Sequence, residues 1–63
     1  MIIVLKQEAT KHEKDHIIAK MTELGLRTMV SEGVERTIIG LIGEEDLLQS
    51  LPLEAFPGVE KVM

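Results

Sequence analysis

The sequence predicts an α+β sandwich: one four-stranded antiparallel sheet with two helices on a single face, in the chain order strand, helix, strand, strand, helix, strand. Three observations predict it. Two apolar runs, Ile2-Ile3-Val4-Leu5 and Ile38 to Ile42, lack polar alternation and read as strands in the middle of a sheet. Between them lies a capped segment with helical spacing, closed by Gly25. After them, a short segment that passes from acidic to apolar is cut by Pro52. The usual sheet order for this connectivity, 4-1-3-2, puts the first and third strands in the centre, where the two apolar runs belong.

Each element has a local cause. Ile2 to Leu5 is mostly β-branched and wholly apolar, so it is expected to be buried on both faces or nearly so. Thr10 and Glu13 stand at capping-box spacing, in which the hydroxyl accepts from the amide three residues on and the carboxylate reaches back, so a helix starts at Lys11. Ile17, Ile18, Met21 and Leu24 form one stripe at the helical period. Gly25 is expected to take the left-handed conformation that ends the helix at Leu24, with Leu26 packing back on Met21.

Leu26 to Ser31 reads as the second strand, followed by a turn through Glu32 and Gly33. The third strand, from about Glu35 to Ile42, places Thr37, Ile39 and Leu41 on one face and Ile38, Gly40 and Ile42 on the other. Glu44, Glu45 and Asp46 favour a helix start, and Leu47, Leu48 and Leu51 give that short helix its apolar side. Pro52 breaks it, Leu53 to Phe56 adds one turn, and Val59 to Met63 is the last strand. Two helices shield one side of such a sheet, yet the central strands offer apolar side chains to both. The uncovered side needs a partner.

Composition narrows the function. At 63 residues the chain holds one domain and a modest core, since so short a chain buries only about 60% of its unfolded surface. It has no Cys, which removes disulfides and thiolate metal sites. With 7 basic against 11 acidic residues, net −4, and Phe56 as its one aromatic residue, it lacks both the cations that displace counterions and the stacking platforms that nucleic acid requires. The longest apolar run, Ile2 to Leu5, is far shorter than the roughly 20 residues of a membrane span. A soluble, cytoplasmic protein without nucleic-acid or membrane partners is the expectation.

His12-Glu13-Lys14-Asp15-His16 matches H-E-x-x-H, which on a buried helix holds zinc. At about 100° per residue, however, both His lie opposite the Ile17, Met21, Leu24 stripe and face water, and Glu13 is already used by the capping box. Ser31 and Ser50 have no His placed beside them by sequence, and no Gly-rich phosphate loop is present. A catalytic site is therefore not expected. At the hairpin, Ser31, Glu32, Gly33, Arg36 and Thr37 bring together a hydroxyl, a guanidinium and turn amides. That is either a capped turn with a surface ion pair, or a small-ligand site completed by another copy of the domain.

The stretch Gly33-Val34-Glu35-Arg36-Thr37-Ile38-Ile39-Gly40-Leu41-Ile42-Gly43, preceded by Ser31, has the form G-x-E-R-T-x-I-G-x-x-G. Together with Met1 to Lys6 and with Phe56-Pro57-Gly58-Val59-Glu60-Lys61-Val62, it resembles the N-terminal ferredoxin-like domain of 3-deoxy-D-arabino-heptulosonate 7-phosphate (DAHP) synthases. The resemblance covers almost the whole chain. It implies that residues 1–63 form a single ferredoxin-like, ACT-like regulatory domain, non-catalytic alone, that in the parent enzyme precedes a (β/α)8 barrel condensing phosphoenolpyruvate with erythrose 4-phosphate. It implies no cofactor for this chain, a divalent metal only in the barrel, and pairing with another copy to hold tyrosine or phenylalanine as a feedback inhibitor. The positions matching the effector site are Met29 and Ser31, with Gly33 and Arg36 nearby. From another class, a structural oligomerisation or docking module without ligand would use the same open sheet face.

Overall fold

A computed structural model describes residues 1–63. Its elements run β1 (Ile2–Leu5), α1 (Lys11–Glu23), β2 (Arg27–Glu32), β3 (Thr37–Ile42), α2 (Glu45–Ser50), a single 3₁₀ turn (Leu53–Ala55) and β4 (Val59–Val62). One sheet has the order β2-β3-β1-β4, every neighbouring pair antiparallel, which is the expected 4-1-3-2 read from the other edge. The two strands without polar alternation are the central ones.

Helix α1 forms for the reasons its sequence contains. The Thr10 hydroxyl accepts from the Glu13 amide at 3.1 Å, and the Thr10 amide donates to the Glu13 carboxylate at 2.9 Å, so two N-terminal donors are satisfied locally. At the other end Gly25 adopts φ 84°, its amide donates to the Thr22 carbonyl, and the Leu26 amide donates to the Met21 carbonyl. That is a Schellman closure, and it delivers Leu26 into the core beside Met21. Leu24 departs from the expected stripe. It is the C-cap residue, where the helix has already ended, and it stays exposed while Ile17 and Met21 are fully buried.

The core lies between the sheet and the helices. Ile3 and Leu5 of β1, Ile39 and Leu41 of β3 and Val59 of β4 meet Ile17 and Met21 of α1, with Leu26, Leu48 and Leu53 closing the ends. The third strand begins two residues later than expected, at Thr37 rather than Glu35, and the second extends one further, to Glu32. The reason is the turn: the Gly33 amide donates to the Arg36 carbonyl at 2.9 Å, so residues 33–36 form the connection and the ladder resumes only at the Glu32–Thr37 pair. In β1 Val4 is buried although it points away from the helices, as expected of a strand buried on both faces or nearly so, whereas Ile2 is exposed at the strand's start. Pro52 separates α2 from the 3₁₀ turn, as expected. No helix is long and apolar enough to cross a membrane.

Candidate functional site

The side of the sheet away from the helices is set by register. Ile2 pairs with Gly40, Val4 with Ile38 and Lys61, Met29 with Gly40, Ser31 with Ile38, and Arg27 with Ile42, so these residues share one face. Met63 joins them through its two backbone hydrogen bonds with Ile2. Five of these side chains are large, apolar and exposed: Ile2 42%, Met29 65%, Ile38 37%, Ile42 51% and Met63 69%. Exposed apolar residues scattered singly need no explanation, but five on one strand-packed face form a patch. The open face is apolar over its two central strands, with Arg27, Ser31 and Lys61 on the edge strands.

Gly40 shapes its centre. Lacking a side chain, it leaves a dip flanked along β3 by Ile38 and Ile42 and across the sheet by Ile2 and Met29. Ser31, opposite Ile38, lies at one margin of this apolar surface. The resemblance pointed to Met29 and Ser31 as hairpin positions; the register is what puts them on one face with Ile2, Ile38, Gly40 and Ile42. The signal was available in the even-numbered apolar positions of the two central strands.

The four expected site residues fall into two groups. Met29 and Ser31 lie two apart on β2 and share the open face. Gly33 and Arg36 sit instead in the hairpin connection, where they line a cleft of about 390 Å³ between that connection, the segment after β1 and the start of α1. There Lys14 Nζ lies 3.5 Å from Glu32 Oε1, tying α1 to β2. Arg36 reaches Glu60 of β4 at 3.4 Å across the end of β1, which separates the two strands in the sheet. The guanidinium is thus already engaged with a carboxylate. A Cβ on Gly33 would stand 2.9 Å from the Arg36 carbonyl, so this glycine serves the turn.

The His pair occupies a third place. Both rings are on the exposed side of α1, His16 leaning on Phe56 with centroids 5.9 Å apart. Glu13 is held by the cap. No three His, Cys, Asp or Glu side chains are gathered where they could hold a metal ion.

Comparison with known proteins agrees with this architecture. The family model described as the DAHP synthase ferredoxin-like domain matches residues 1–63. A phospho-2-dehydro-3-deoxyheptonate aldolase from Thermotoga maritima is 32% identical over 63 residues, covering 100% of this chain and 19% of that protein. The crystal structure of a DAHP synthase from Thermotoga maritima superposes with a TM-score of 0.72 at 31% identity, covering 95% of this chain and 18% of the other. The chain therefore spans about a fifth of the length of the relatives it matches. A match over every residue, an identity near one third and a shared fold place this chain in the family of DAHP synthase ferredoxin-like domains.

Proposed function

We propose that this chain is a non-catalytic regulatory domain of a DAHP synthase, and that it pairs with another copy through its open sheet face to hold tyrosine or phenylalanine as a feedback inhibitor. One observation carries the reading: the face turned away from the helices exposes Ile2, Met29, Ile38, Ile42 and Met63 around Gly40, which has no side chain, so it is a surface made to be covered. A ligand that binds only the paired arrangement favours it by RT ln(1 + [L]/Kd), so the amino acid acts by shifting a population. Paired domains lying over the mouth of a catalytic barrel in the parent enzyme would block substrate entry.

The reading makes three demands. Titration calorimetry of the chain with tyrosine or phenylalanine should give saturable heat, sedimentation should show the pair gaining population with ligand, and Ser31→Ala should weaken both while circular dichroism stays unchanged. Sedimentation unmoved at millimolar ligand would count against it. A second reading, structural pairing without any ligand, draws support from two residues: Met29 offers a soft apolar contact where a polar partner would suit a ligand, and Arg36 is occupied by Glu60. Pairing without heat on titration is its signature.

A further inference from the structure

We propose that the edge of β2 is a second self-interface, at which another copy of this chain adds its own β2 antiparallel about a two-fold axis through Val30. The proposal does not rest on pairing through the open face, which uses side chains and not this edge. Backbone direction carries it. Leu41 exchanges hydrogen bonds with Met1 on the β1 side, its amide donating at 2.8 Å and its carbonyl accepting at 3.4 Å. Direction alternates along an antiparallel ladder, so the residues of β3 that bond toward β2 are Ile38, Gly40 and Ile42. Their partners are Ser31, Met29 and Arg27. The bond from the Gly33 amide to the Arg36 carbonyl continues the same alternation. The amides and carbonyls of Thr28, Val30 and Glu32 therefore point out of the sheet edge, and no turn, loop or cap bond of the chain uses them.

The two edges of the sheet are guarded differently. β4 has four residues, and its ladder with β1 shifts register between Val4 and Leu5, so that edge is short and irregular. β2 has six residues in unbroken register, without proline. A second copy is the occupant that its pattern fits. A closed pair across an antiparallel edge has its two-fold axis perpendicular to the sheet, so each residue opposes one of the same parity. All three outward residues are bonded at once only when Val30 opposes Val30 of the second copy and Thr28 opposes its Glu32. Either neighbouring symmetric register leaves one of the three out. Side chains agree with this choice: Glu32 stands opposite a hydroxyl and Arg27 opposite Gly33, so no like charges meet. The two Val30 side chains, each 42% exposed in the single chain, cover one another on the helix side. The new bonds replace bonds to water and little apolar surface is buried, so the contact is brief in dilute solution and adds to other pairing instead of substituting for it.

The chain has no Cys, so single cysteines read the register directly. A disulfide closes when Cα atoms stand about 4.4–6.8 Å apart. The register holds the two copies of Val30 at about 5.5 Å and those of Thr28 roughly 14 Å apart. Under oxidised glutathione, Val30→Cys should give roughly tenfold more cross-linked dimer than Thr28→Cys or Glu32→Cys alone. Mixing Thr28→Cys with Glu32→Cys should restore the yield. Val30→Cys should cross-link equally well when Met29→Gln and Ile38→Gln are added, because these leave the outward backbone of β2 intact; loss of the link there would overturn the edge as an interface of its own. A Val30→Cys yield no higher than that of Thr28→Cys would overturn the register and the proposal with it, whatever sedimentation shows of the open face.

Discussion

At Gly25 and Gly43 the same substitution to alanine fails for different reasons. Gly25 has φ 84° with nothing within 4 Å of a built Cβ, so the cost of Gly25→Ala is purely conformational, about 1–2 kcal/mol. Gly43 has an ordinary backbone, but a Cβ there would run into the Leu26 side chain, which is buried in the core. Gly43→Ala should cost about 1–3 kcal/mol through overpacking. Urea denaturation reads both, and rescue of the second by Leu26→Val, but not of the first, distinguishes the causes. Gly40 is the opposite case. Its Cβ would meet the Met29 carbonyl oxygen at 3.7 Å and the Met29 Cβ at 3.8 Å, both ordinary contacts. Gly40→Val should therefore keep the fold and fill the dip, abolishing any heat of amino-acid binding. Of these residues, only Gly25 was legible in the sequence, because a helix end is a local event. Gly43 touching Leu26 and Gly40 forming the floor of a dip depend on which strands become neighbours.

At the scale of elements, sequence and structure agree wherever the cause is local. The α1 cap is spelled by Thr10 and Glu13 alone, and Thr10→Ala should cost about 1 kcal/mol, seen as a lower thermal midpoint. The start of α1 also carries the exposed pair Lys11 and Asp15, one turn apart, with Nζ and Oδ2 2.7 Å apart. The hydrogen bond from Lys11 holds the Asp15 carboxyl below its ordinary range, and the same bond raises the Lys11 ammonium. The Asp15 contribution is thus present at neutral pH and fades as pH falls through its lowered pKa, while that of Lys11 fades only as pH rises through its raised one. Lys11→Met should flatten the acid limb of the stability curve slightly and leave the neutral region almost unchanged, because both groups face water. The hairpin was less legible. A Gly33-to-Arg36 turn bond and an Arg36–Glu60 ion pair spanning β1 replaced two expected strand residues, and neither partner choice is encoded in spacing.

For the whole molecule, the decisive feature is asymmetry: helices cover one side of four strands, and the other side displays Ile2, Met29, Ile38, Ile42 and Met63. That much was readable from sequence, since two uninterrupted apolar strands and only two helices cannot balance. What sequence could not place was the split of the candidate site, with Met29 and Ser31 on the open face and Gly33 and Arg36 in the hairpin connection. Side-chain direction at a turn depends on where the ladder stops. The proposed pairing therefore depends on the open face and not on the hairpin cleft. Sedimentation equilibrium at about 0.3 M NaCl, where charge is largely screened, compares the chain with its Met29→Gln, Ile38→Gln double variant. Concentration-dependent pairing that disappears in the variant is the expected result; a monomer at every concentration, or pairs that survive the two substitutions undiminished, would contradict it.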